Sequence, residues 1–239
     1  MGELMLKRWA TGSRQQPLTI YGPQGIEQVV NGFESAYQLD KGYRIAHHGE
    51  EVMPNKGFGA EAHEFDLGTD LMHSKTIYKK GEVEVIAFNV AHAPVFPAVG
   101  YRVNYKDRSV VITGDTKYSE SLKQHSKNAD VLVSEALNKK FSAMLANAGK
   151  QTETNITAVA TDIQDYHISP QEAAEVAKAA GVRQLVISHI LPPIPSDLMI
   201  RPFLKEALEV YQDIYMANDG TMISLPVKSD EIFIRELLK

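Results

Sequence analysis

The sequence predicts an α/β protein, and three observations carry the prediction. Helical and extended stretches alternate along the chain, the extended ones are short β-branched runs closed by turn residues, and one stretch is a strand, a glycine-rich turn and a helix in succession. A chain of 239 residues with 44% hydrophobic and 23% charged residues is long and apolar enough to bury a core. No run of about 18 apolar residues occurs, so no membrane-spanning helix is expected.

Residues 1–9 read as the end of a helix that Thr11-Gly12-Ser13 stops, leading into a short strand at 18–21. Gly22-Pro23-Gln24-Gly25 turns the chain, and Ile26, Val29, Val30, Phe33 and Tyr37 recur at helical spacing over 26–39. Residues 40–74 are polar, rich in Gly and His and weakly periodic, which predicts an irregular surface excursion. Three β segments follow at 83–90, 98–105 and 109–113, the last two joined by Lys106-Asp107-Arg108 as an antiparallel meander. A buried strand is expected at 130–134 and a helix over 137–148. Pro170 then opens an alanine-rich helix that Gly181 closes after Ala180, and 185–188 is a further buried strand. A last helix over 202–215 precedes the Asp219-Gly220 turn and a closing strand at 221–225. There is no internal repeat, and one domain over residues 1–239 accounts for the whole chain.

The net charge of -5 argues against nucleic-acid or membrane binding driven by overall charge. The chain has no cysteine, which excludes disulfides and thiolate zinc sites and leaves His, Asp and Glu as metal ligands. Three such residues stand at strand ends, where loops carry functional groups on a rigid scaffold: His92, Asp115 and His189. Two imidazoles and a carboxylate suit zinc or manganese, and Asp115 could bridge two cations through its two oxygens. Taken singly, each has a plainer account: a loop histidine in a hydrogen bond, or an aspartate capping a turn.

Their surroundings are more specific. In order and spacing, His92-Ala93-Pro94 with Gly100-Tyr101-Arg102, then Ile112-Thr113-Gly114-Asp115-Thr116, then Ile187-Ser188-His189-Ile190, resemble the later metal motifs of the metallo-β-lactamase superfamily. Tyr166-His167-Ile168-Ser169 before an alanine-rich helix is similar to the His-Ser-Thr segment of ribonuclease Z enzymes, and Leu-Thr-Ile-Tyr-Gly-Pro-Gln-Gly at 18–25 to the segment one helix after the first metal motif. The resemblance runs over residues 1–226. It implies a four-layered αβ/βα sandwich, two sheets packed face to face with helices outside. It further implies that His92 and His189 are terminal ligands of one metal each, that Asp115 bridges the two, and that His167 steadies a transferring phosphate or protonates the leaving oxygen. The implied cofactor is Zn2+, with Mn2+ as the alternative, and the implied reaction is metal-assisted hydrolysis of a small-molecule or nucleic-acid phosphodiester. An arylsulfatase-like or lactonase-like hydrolase on the same scaffold, or a metal-free binding or assembly protein, are the other readings. Ser169 before Pro170 also serves as a helix cap, and Lys139 and Lys140 suit a solvated helix face as well as a phosphate.

One motif of the superfamily is absent. His-x-His-x-Asp-His, which supplies three histidine ligands and the aspartate that orients the attacking water, occurs nowhere in these residues. His47-His48 and His63 lack its spacing and, with His73 and His125, read as histidines without a metal role. In the family the motif stands just before the helix that here reads Glu3-Leu4-Met5-Leu6-Lys7-Arg8-Trp9. The expectation is therefore an N-terminally truncated chain with the motif belonging immediately upstream of Met1, unpaired sheet edges, poor metal binding and low activity, the alternative being a complete protein that has lost the metal site. The sequence leaves the oligomeric state open, a homodimer being the commonest assembly for such folds.

Overall fold

Trp9, the chain's single tryptophan, is fully buried. Its Nε1 donates to the Pro54 carbonyl at 2.8 Å and its ring meets Phe58 edge-on with centroids 5.1 Å apart. The computed structural model describes residues 1–152 and 154–238 and divides into two compact units, Met1–Asp66 and Leu67–Lys239. The first holds α1 (Gly2–Ala10), β1 (Leu18–Pro23), α2 (Ile26–Ala36), α3 (Gln38–His48) and β2 (Ala60–Phe65). β1 and β2 pair in parallel from Leu18↔Ala60 to Pro23↔Phe65, a pairing that needs a crossover, and α2 and α3 provide it. Glu64 in β2 accepts from Gly25 N at 2.9 Å and so meets the exposed amides at the start of α2, while Glu34 on α2 accepts from Ala60 N at 2.9 Å.

About half of the irregular excursion expected over residues 40–74 is regular structure. It holds most of α3, a short 3-10 turn at Asn55–Gly57, and β2. α3 buries none of its residues, so no apolar stripe marks it, and the Asp40–Arg44 pair one turn apart (2.6 Å) supports it instead. β2 reads Ala-Glu-Ala-His-Glu-Phe, poor in strand formers, and is held extended by its pairing with β1.

The second unit is built on a mixed sheet of seven strands in the order β3-β4-β5-β6-β7-β8-β9. The strands are β3 (Ser74–Lys80), β4 (Val83–Asn89), β5 (Val99–Tyr105), β6 (Arg108–Ile112), β7 (Val131–Leu137), β8 (Gln184–Leu191) and β9 (Ile214–Met216). Pairing is antiparallel from β3 to β6 and parallel from β6 to β9. Around it run α4 (Glu120–His125), α5 (Lys139–Gly149), α6 (Ile156–Asp162), α7 (Pro170–Ala180), α8 (Ile200–Phe203) and α9 (Lys205–Val210), followed by the hairpin β10 (Thr221–Ser224) and β11 (Phe233–Glu236).

α7 shows why the sequence folds this way. Ser169 and Glu172 form a reciprocal capping box, Pro170 occupies the first turn, and Gly181 at φ 67° ends the helix. Its buried face, Ala173, Ala174, Val176, Ala177 and Ala180, joins Leu132, Leu185 and Ile187 of the sheet in one core. The helix expected over 202–215 divides instead at Leu204 and stops at Val210, and Ile214–Met216 becomes an edge strand on β8. Phe203, Leu204 and Ala207 bury one face and mimic a longer helix, but Ile214 and Tyr215 gain ladder hydrogen bonds by extending. No helix among the described residues is long and apolar enough to cross a membrane.

His125 at the end of α4 stacks on Phe88 with ring centroids 4.4 Å apart. Arg102 donates to the His125 and Lys127 carbonyls at 2.7 and 2.9 Å, closing the helix end. Burial, and secondarily the Arg102 charge, hold the His125 pKa below the ordinary imidazole value. The unfolded chain therefore binds this proton more readily than the folded one, so stability falls as pH drops through the unfolded value of about 6.5. Urea midpoints should be lower at pH 5.5 than at pH 7.5, and His125→Gln should make the difference smaller; an unchanged difference would remove His125 as a source.

Candidate metal centre

Four strands of the large sheet end at one edge. β4 and β6 are both antiparallel to β5 and so run in one direction, and β7 and β8 run parallel to β6. The segments that follow them can therefore present side chains to a common place from rigid supports. His92 comes just after β4, Asp115 just after β6, Glu135 lies in the last half of β7, and His189 lies near the end of β8. Between Ser134↔Ile187 and Ala136↔Ile190 the register slips, setting Glu135 against both Ser188 and His189, and such a bulge re-aims the side chains beside it. His167 arrives from the segment before α7, pinned where Leu137 N donates to the Ile168 carbonyl at 2.8 Å.

All four residues singled out from the sequence come together. Ligand atoms of His92, Asp115 and His167 lie within 4.8 Å of one another. The His92 and His167 ring centroids are 5.2 Å apart, those of His167 and His189 are 6.0 Å apart, and His189 Nδ1 lies 3.0 Å from Asp115 Oδ1. Asp115 and His189 are exposed, His92 is partly buried and His167 is buried, so the cluster has a dry floor and an open top.

The hydrogen bonds set tautomers. His92 Nδ1 lies 2.8 Å from the Tyr166 carbonyl, which can only accept, so Nδ1 carries the proton and Nε2 is left with a free lone pair. A ring held by a backbone carbonyl in this way is oriented as a metal ligand. His167 Nδ1 lies 2.7 Å from Glu135 Oε2, and Glu135 Oε1 accepts from Thr116 N at 2.6 Å. Both oxygens of this buried carboxylate are thus engaged by protein donors, one of them on the residue next to Asp115. Two imidazoles and a carboxylate with ligand atoms this close are a donor set that fits a divalent cation with nitrogen and oxygen preference.

Glu135 is a member of the cluster that the motif reading passed over. A lone carboxylate inside Val-Leu-Val-Ser-Glu-Ala-Leu is its sequence signal, since an apolar strand does not bury a charge without a partner. Lys140 pairs with Glu206 on the surface and has no place in the cluster. His63 stacks on Tyr21 (5.0 Å), and His47 and His48 meet each other at the exposed end of α3.

The chain is similar in sequence and in fold to known proteins. Residues 2–190 match the family described as the Beta-lactamase superfamily domain. The ribonuclease Z of Mycobacterium sp. (strain KMS) is 35% identical over 195 residues, covering 81% of this chain and 61% of that protein. The ribonuclease Z of Mycobacterium bovis BCG is 33% identical over 196 residues, covering 81% and 63%. The chain thus spans somewhat over three-fifths of the length of these relatives, 61% and 63%. Among solved structures, the short form of human tRNase Z superposes with a TM-score of 0.58 at 21% identity, covering 95% of this chain and 74% of that one. The metallo-beta-lactamase fold protein YhfI from Bacillus subtilis does so with 0.54 at 20% identity, covering 91% and 68%. These likenesses show the fold that the resemblance implied.

Removing the Glu135 carboxylate strands two buried donors, Thr116 N–H and His167 Nδ1–H. Glu135→Ala is expected to lower unfolding free energy by about 1–3 kcal/mol, and Glu135→Gln, which keeps one carbonyl acceptor, by less. Equal stability of Glu135→Ala and the parent in urea titration would mean that neither bond matters.

Proposed function

The chain belongs to the beta-lactamase superfamily, in its ribonuclease Z-like branch, and from that premise we propose that it is built for divalent-metal-dependent hydrolysis of a phosphodiester. The observation that carries the reading is the convergence of His92, Asp115, His167 and His189 at the common end of β4, β6 and β8 and at the start of α7. His92, Asp115 and His189 would hold the metal, zinc in preference to manganese because two of the three donors are imidazoles, and Asp115 has two oxygens with which it could bridge. A bound cation pair supplies an acidified water and a clamp on the phosphate oxygens.

The protein's own groups do the rest. His92 is kept in the ligating tautomer by the Tyr166 carbonyl. His167, fixed through Nδ1 by Glu135, keeps its other nitrogen for the substrate, where it steadies the phosphate or passes a proton to the leaving oxygen. Ribonuclease Z relatives favour a nucleic-acid phosphodiester as the substrate class, with small-molecule phosphodiesters as the alternative; at net charge -5 a nucleic acid would be held by local groups. Both compact units belong to one hydrolase domain in this reading, because the family match runs through the boundary at Asp66. A homodimer is the assembly we expect.

The 239 residues contain no His-x-His-x-Asp-His run, and three donors divided between two cations are fewer than a closed zinc site takes. Protein dialysed after zinc or manganese loading should retain less than one metal per chain, and metal-supported turnover should fall on a bis-aryl phosphate and not on an aryl sulfate or a lactone. His167→Gln should cut that turnover by about 10²–10⁴-fold with metal content unchanged, whereas Asp115→Asn should lower both. Faster hydrolysis of the sulfate or lactone would reassign the substrate, and tight stoichiometric zinc that survives His92→Ala would overturn the ligand assignment.

A further inference from the structure

We propose that the cleft between the segment after β4 and the segment after β6 is a subsite for one flat aromatic ring, a nucleobase or another aryl group, attached to the phosphate ester that the neighbouring cluster acts on. The cleft has a volume of about 370 Å³, with His92 at its lining together with Leu71, Val95, Phe96, Lys117 and Tyr118. His92 therefore belongs to both the cleft and the metal cluster, so a group seated in the cleft is continuous with whatever lies at the cluster.

Four large apolar side chains stand open around this concavity: Val95 and Phe96 at 55% exposure, Leu71 at 42% and Tyr118 at 38%. Single exposed apolar residues are ordinary, but several lining one hollow mark a place where a ligand removes them from water. Two of the four are aromatic and offer faces for stacking, an attraction open to any base or aryl ring. The hollow lies at the small end of ligand clefts, which suits one ring and not a bulky assembly. Lys117 adds charge complementarity for the phosphate, and its side chain makes no ion pair among the described residues.

The walls are held in place before any ligand arrives. Lys117 N donates to the Ala91 carbonyl at 2.7 Å, Val95 N donates to the His92 carbonyl at 3.0 Å, and Ser121 Oγ donates to the Asn89 carbonyl at 3.0 Å. Those bonds tie both segments to the end of β4, so little ordering is needed on binding. Only the phosphate half of this proposal rests on the phosphodiester reading above; the ring half rests on the cleft.

Calorimetric titration of the zinc-supplemented chain with methyl phosphate, phenyl phosphate and uridine 5′-monophosphate tests it. An aromatic phosphate should bind about 5- to 100-fold tighter than methyl phosphate, and that ratio should fall towards one in Phe96→Ala and in Tyr118→Leu, with unchanged melting temperatures. Gain by phenyl phosphate alone assigns the site to simple aryl groups, and gain by the nucleotide assigns it to nucleobases. Lys117→Gln should weaken all three alike. Equal affinity for methyl and aromatic phosphates overturns the subsite and leaves the phosphodiester reading standing. Conversely, if uridine and phenol give Phe96-dependent saturation-transfer signals while no phosphate binds, the phosphodiester reading falls and the ring subsite stands. If neither ring nor phosphate binds, both are overturned.

Discussion

A carboxylate left with 2% exposure is costly to bury, and Glu135 is tolerated because each of its oxygens has a donor. One donor is the backbone of Thr116, the residue after Asp115, and the other is His167. Glu135 itself sits where β7 and β8 slip in register beside His189. A single side chain thereby links the segment after β6, the end of β7 and the segment before α7. Without it these pieces would share a sheet edge but not an orientation.

The sheet makes such a link possible. Because β4, β6, β7 and β8 share one direction, their ends need only short segments to meet, and a core of Leu132, Leu185, Ile187 and the alanine face of α7 holds them rigid from behind. The small alanines bring helix and sheet close, and the capping box at Ser169 and Glu172 fixes where α7 begins, three residues after His167. Packing therefore determines the position of an imidazole, and the Glu135 hydrogen bond determines which nitrogen it offers. The same logic extends outward: the hydrogen bonds that tie Lys117 and Val95 to the end of β4 shape the apolar cleft next to His92.

Much of this was legible in the sequence wherever a local signal was strong. The Pro170 to Ala180 helix has its proline, its cap and its glycine stop, and the β meander has sharp turns, so their expected bounds nearly coincide with the observed ones. His92, Asp115, His167 and His189 can be singled out from the sequence because each stands in a distinctive setting, and the structure brings the four near one another. What escaped depends on tertiary partners. α3 buries no face, β2 is extended through its pairing with β1, and β9 exists because β8 offers an edge. Glu135 escaped for the opposite reason: the strand around it was plain, and the significance of its one charged residue appears only with the distances to Thr116 and His167.

The shared strand ends are proposed to form a divalent-cation site. Anomalous diffraction from crystals of the chain soaked in zinc or manganese addresses it without relying on turnover. A peak is expected at the sheet edge, within the bonding distance of about 2.0–2.2 Å from His92 and Asp115. A peak confined to His47, His48 or His63, with none at the sheet edge, would contradict the proposal.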